Sequence, residues 1–164
     1  MTCFLGVDPG MTGAVAVYDH GTLEEVIDMP VLDGQVDGGA LAKIFEQWLP
    51  DAIVVERVQP MPRNGSIASF KLGMNYGVIL GVATALSHPL VTIRPMEWKR
   101  KMGLLKKPKE ASRRLAIELW PKHAGKFRRV RDDGRAEAAL IARTYAFQVI
   151  QEANAEGYPG GGAT

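Results

Sequence analysis

The stretch CFLGVDPGMTGAVAVYD, residues 3–19, decides the fold. Two apolar runs of strand length flank the turn Pro9-Gly10-Met11, and a third run at 22–28 follows the turn His20-Gly21. Short Gly- and Pro-containing turns between such runs predict an antiparallel meander with strands over 2–8, 13–19 and 22–28. The first run ends on Asp8. A carboxylate at the end of a buried strand is costly to desolvate unless something partners it. The same signature recurs at Ala52-Ile-Val-Val-Glu56, apolar without alternation, which predicts a central strand. A third acidic group, Asp132-Asp133-Gly-Arg-Ala-Glu137, opens a helix near the C-terminus. Acids delivered from three separated elements point to one divalent-cation site.

Outward from these strands, Leu41, Ile44, Phe45 and Trp48 fall at helical spacing, which predicts a helix over 38–49 ended by Pro50. Asp33 to Gly39 reads as a polar connection. Val58 to Gly65, with Pro60 and Pro62, reads as a loop. A long helix is expected over 67–86, a fifth strand over 90–94, a short helix over 95–102 begun by Pro95, and a helix over 108–120 stopped by Pro121. Lys122 to Arg131 reads as a basic loop, the last helix as 134–155, and 157–164 as a disordered tail. Gly73, Gly77 and Gly81 recur every four residues in the long helix and cost helix propensity, so a packing or interface reason is expected.

The chain has 164 residues, 46% hydrophobic and 23% charged, which suits one soluble domain over 1–156. Its single cysteine, Cys3, excludes an internal disulfide, and neither it nor His20, His88 or His123 has zinc-ligand spacing. No run reads as a membrane span and no basic segment precedes an apolar one at the start, so a cytoplasmic location is expected. The net charge of +2 hides an asymmetry. Residues 1–56 set one lysine, Lys43, against ten acids; residues 57–135 set eighteen Lys and Arg against five acids. The individual side chains read as solvated, while the segment as a whole reads as a polyanion-binding surface.

Four segments together carry a family resemblance: FLGVDPGMTGAVAVYD (4–19), VVERVQPMPRNGSIASFKLGMNYGVILGV (54–82), RPMEWKRKMGL (94–104) and DDGRAEAALIA (132–142). In this order and spacing the chain resembles RuvC-type Holliday-junction resolvases, phage-borne members above all. The resemblance implies a ribonuclease H-like fold: α/β, a mixed five-stranded sheet with three antiparallel N-terminal strands and flanking helices. It implies a crossover junction endodeoxyribonuclease that leaves 5′-phosphate ends, with catalytic, metal-holding acids at Asp8, Glu56, Asp133 and Glu137. Two Mg²⁺ ions are expected, with Mn²⁺ as a possible substitute; an all-carboxylate set without His or Cys suits a hard cation. Asp133 and Glu137, four apart, project from one helix face.

Branched DNA and a second copy of the chain are the implied partners, with no nucleotide cofactor, in a bacterial or phage-infected cell. Arg57, Arg63, Asn64, Ser66 and Lys71 are candidate phosphate contacts beside the acids. Relatives place an aromatic wedge soon after the strand-end acid; here Gln59 stands there, and Met61 and Phe70 are the alternatives. Lys99 and Lys109 match basic residues near the scissile strand, Lys109 with a catalytic role and Lys107 as its competing register. Arg128, Arg129 and Arg131, with Lys122 and Lys126, read as a mobile phosphate clamp.

Simpler structural roles compete. Asp133 also reads as a helix N-cap, Asp132 as a solvated neighbour or cap, Glu56 as a partner of Arg57, and Asp8 as a turn-initiating residue. Trp48, Trp98 and Trp120 read as core. A less selective debranching nuclease, a non-catalytic DNA-binding protein and an actin-like ATPase, suggested by the turn Asp8-Pro-Gly-Met-Thr12, are the other functional classes. The last needs a far longer chain.

Overall fold

Side chains of a strand alternate between faces, so a strand apolar at every position needs cover on both sides. Cys3–Asp8 (β1) is such a strand: Phe4 packs into one hydrophobic cluster, and Leu5 and Val7 into another on the opposite face. The computed structural model describes residues 2–59 and 65–156. Around β1 lie Ala14–Asp19 (β2), Thr22–Asp28 (β3), Ala52–Glu56 (β6) and Leu90–Ile93 (β7), in the order β3-β2-β1-β6-β7. β1 pairs antiparallel with β2 and parallel with β6, and β6 pairs parallel with β7. The meander, the five-stranded mixed sheet and the central place of β6 match the sequence expectation.

Helices cover both faces. Gly38–Trp48 (α1) and Ser66–Ala85 (α2) pack on the Leu5 side; Ala111–Leu119 (α4) and Asp133–Glu156 (α5) pack on the Phe4 side, with Pro95–Lys101 (α3) at the β7 edge. Asp37 caps α1 by accepting the Ala40 N–H at 3.0 Å. The segment read as a plain polar connection instead carries a small hairpin, Val31–Leu32 (β4) with Gln35–Val36 (β5). Asn75, buried on α2, anchors it by accepting the Val36 N–H at 3.0 Å. That tie spans 39 residues, which is why local composition did not reveal it.

Two further departures matter. The basic segment is not an open loop: Pro121–Lys126 and Val130–Asp132 form 3₁₀ turns around the fully buried Phe127. And α2, contrary to the expectation that no run reads as a span, is long and apolar enough by length and composition to cross a membrane. Sequence reading overlooked this because three glycines and polar Asn75 dilute the run. Only Asn75, Ile79 and Ala83 of α2 are buried, leaving most of an apolar helix open.

One contact sets the position of α5. A Cβ at Gly6 would collide with the Ala138 carbonyl oxygen and come within 2.6 Å of the Ala142 nitrogen. Only glycine lets α5 lie directly on the middle of β1.

Candidate active site

Val7 pairs with Val55, so the next residues, Asp8 and Glu56, leave neighbouring parallel strands at the same level. α5 begins above them. A Cβ at Gly134 would stand 2.5 Å from the Thr12 carbonyl oxygen and 2.8 Å from Asp8 Oδ2, so only glycine lets the first turn of α5 reach the β1–β2 turn. Asp133 precedes that glycine and Glu137 lies one turn beyond, both half-buried. Asp8, Asp133 and Glu137 line one cleft of about 640 Å³.

Electrostatics tie Glu56 to the same group. Burial holds the Asp8 carboxyl well above its ordinary range, and the charges of Glu137 and Glu56 push it further against the pull of Lys99 and Lys109. Burial also raises Glu56, opposed by a hydrogen bond from Trp98 and reinforced by Glu137. Glu137 is raised by burial and by Asp133, against Lys99 and Lys109. Asp8, Glu56 and Glu137 repel one another, with Asp133 beside Glu137, and such an oxygen-only donor set could hold a hard divalent ion. Among the described residues, no three Asp, Glu, His or Cys side chains are drawn together tightly enough to enclose a single ion. Most of the four acids instead meet protein donors.

Each donor is specific. Trp98 Nε1 donates to Glu56 Oε2 at 2.6 Å. Lys99 Nζ lies 3.7 Å from Glu137 Oε1 and 5.1 Å from the Trp98 ring centroid. Arg113 Nε donates to Asp133 Oδ1 at 2.6 Å, and the exposed Lys109 stands 3.5 Å from Oδ2. Of these, Lys99 and Lys109 were expected from sequence. Trp98 was read as core; it is fully buried, but its only polar atom addresses the acid cluster. Arg113 carried no signal beyond membership of a basic segment, and Gly6 and Gly134 carried none.

The structural alternatives divide. Glu56 is partnered by Trp98, while Arg57 reaches Thr92 Oγ1 at 3.5 Å. Asp133 is not a cap; it is the first residue of α5 with helical dihedrals. Asp132 does cap, accepting the Arg129 N–H at 2.9 Å, but it is buried at 1% exposure and not solvated. Arg129, read as part of a free clamp, spends its guanidinium on Asp132 at 2.9 Å, and Lys126 is bound to Glu25 and the Val26 carbonyl. Arg128 and Arg131 remain exposed, as do Arg57, Ser66, Phe70 and Lys71. Met61, Arg63 and Asn64 lie outside the described residues, as does the tail at 157–164.

A mixed sheet with acids at the ends of its two central strands and at the start of the covering helix is the ribonuclease H-like arrangement. Solved structures of this fold make the likeness concrete. The chain superposes on Thermus thermophilus RuvC in complex with a Holliday junction substrate with a TM-score of 0.68 at 20% identity, covering 92% of this chain and 96% of that one. The yeast mitochondrial Holliday junction resolvase gives 0.62 at 15% identity, over 93% and 81%. The fowlpox virus Holliday junction resolvase gives 0.56 at 16% identity, over 90% and 99%. No family model and no curated protein sequence matches the chain.

Proposed function

We propose that the protein is a metal-dependent, structure-selective endonuclease that resolves Holliday junctions or related branched DNA, leaving 5′-phosphate and 3′-hydroxyl ends. One observation carries the reading: Asp8, Asp133 and Glu137 line one cleft, with Glu56 at the end of the strand beside Asp8, next to the basic side chains Lys99 and Lys109. The resolvase folds named above support the substrate class.

Asp8, Glu56, Asp133 and Glu137 would hold the metal. Two Mg²⁺ ions would supply activation of water and neutralisation of charge on the attacked phosphate. Lys99 and Lys109 stand beside Glu137 and Asp133, from where they would contact the scissile phosphate and steady its developing charge. Arg57, Ser66 and Lys71 lie along the β6–α2 side and Arg128 and Arg131 beside α5, where they would position the flanking backbone. Phe70, 70% exposed on α2, is the described candidate for unstacking the crossover.

Symmetric cleavage of a junction needs two facing sites, so a two-fold homodimer belongs to the proposal. α2 is its interface: Ile67 is 74% exposed, and Gly73, Gly77 and Gly81 face open space where a second backbone can approach. The exposed Gln59, where relatives carry an aromatic, favours a second reading with weaker junction selectivity. Nicking of a synthetic mobile four-way junction in Mg²⁺ tests the main reading, with EDTA and Asp8→Asn as controls and flap and linear duplex alongside. Paired symmetric nicks in the junction, absent from both controls, are expected. Equal cutting of all three substrates selects the second reading, and no Mg²⁺-dependent cutting overturns both.

A further inference from the structure

Two of the four acids are gripped in the same manner. Glu56 has Oε2 bound by the indole N–H of Trp98, whose ring is entirely buried and therefore fixed. Asp133 has Oδ1 bound by Arg113 Nε, and Arg113 is itself restrained, with 16% side-chain exposure and Nη1 donating to the Arg128 carbonyl at 3.3 Å. In both cases the second carboxylate oxygen is left to weaker company. Among the described residues, Asp133 Oδ2 meets only Lys109, whose side chain is 79% exposed and readily displaced by an incoming ion. A carboxylate with one oxygen pinned by a rigid donor presents the other in a set direction, which is how outer donors orient metal ligands.

We infer that Trp98 and Arg113 are positioning residues of the metal site, each holding one oxygen of Glu56 or Asp133 so that the other faces the cation. The inference rests on the metal-site reading proposed above. It differs from two simpler accounts. If Trp98 merely satisfies its own buried N–H, its loss costs stability without changing metal affinity. If Arg113 is a competitor occupying the metal's place, its loss tightens metal binding.

Mn²⁺ binding to the full chain, measured by calorimetry without DNA, separates these. Wild type should bind Mn²⁺, and Asp8→Asn should weaken it severely. Trp98→Phe, which keeps the ring and removes the donor, and Arg113→Gln should each weaken Mn²⁺ about tenfold or more, the range for lost outer donors. The Trp98→Phe loss should vanish in a Glu56→Ala background, and the Arg113→Gln loss in Asp133→Ala. Unchanged affinity with a lowered melting temperature in EDTA overturns the inference and leaves the metal site standing, as does tighter binding by Arg113→Gln. If Trp98→Phe fails to fold, Arg113→Gln, at a half-buried position of α4 outside the core, decides the matter. Absence of Mn²⁺ binding by wild type overturns both readings.

Discussion

Two carboxylates adjacent in sequence, Asp132 and Asp133, sit in opposite surroundings. Asp132 is buried, yet both its oxygens are engaged by Arg129, with Arg135 at 3.6 Å, and Arg135 also binds Asp28 through two hydrogen bonds of 2.6 Å. Burial raises the Asp132 pKa, but the Arg129 contacts outweigh it and the net shift is downward; Asp28 is lowered by Arg135. One residue on, Asp133 lines the cleft with Asp8 and Glu137, and burial together with mutual repulsion shifts Asp8, Glu56 and Glu137 upward. One acid cluster is saturated and belongs to the fold. The other is short of positive charge, which is what the proposed metal site requires. Counting acids does not separate them; counting their committed donors does.

Exchanging one acid from each cluster should break this contrast most visibly. Asp8→Asn should abolish junction nicking, on the order of a thousandfold or more for several kcal/mol of lost charge stabilisation, while raising the melting temperature in EDTA because a repelling charge is gone. Asp132→Asn should do the reverse. Arg129 is half exposed, so losing its charge-assisted bonds to buried Asp132 costs about 1–3 kcal/mol of stability, and nicking per folded molecule should survive. Denaturant unfolding and nicking of both variants check the pair. A destabilised, inactive Asp8→Asn would erase the distinction.

Next in size is Gly134→Ala. Its Cβ would press on the Thr12 carbonyl and on Asp8, and backbone cannot yield as a side-chain tip does, so a loss of about 1–3 kcal/mol is expected. Weakened metal binding should accompany it, since α5 moves away from β1. Alanine at Gly73, where nothing of the same chain lies within 4 Å, should leave the single chain at least as stable and weaken only the proposed dimer, read by sedimentation.

The smallest effect sharpens the contrast through pH. Asp8, Glu56 and Glu137 have raised folded pKa values, so they favour the metal-free fold fully below the ordinary carboxylate range near 4, and that contribution is lost as pH rises through their folded values. Asp28 and Asp132 are lowered, so their contribution is present above that range and lost as pH falls through the folded values. Metal-free protein should therefore melt higher near pH 5 than near pH 8, and fall again well below pH 4. Saturating Mg²⁺ should raise the melting temperature more at pH 8 than at pH 5. Equal Mg²⁺ effects at both pH values would deny that the upward-shifted acids hold the ion.

Much of this was legible in the sequence because it is local. The apolar runs closing on Asp8 and Glu56, the turns between the first strands and the four-residue spacing of Asp133 and Glu137 are each written within a few residues. The hairpin at Val31–Val36 was not, because its anchor Asn75 belongs to another element. Nor was the role of the basic segment: Arg129 and Lys126 look like free cations until Asp132 and Glu25 are brought to them.

The chain's own order of residues determined which elements form and which acids stand at their ends, since period, turn chemistry and strand length act over short range. Only the tertiary structure decided which acids share a cleft, which arginine neutralises which, and that a buried tryptophan faces a catalytic-site candidate with its single N–H. Those outcomes depend on register and on two close glycine contacts, Gly6 and Gly134, that bring α5 onto β1 across more than a hundred residues. Charge neutralisation falls steeply with distance, so it is settled by packing and not by sequence proximity.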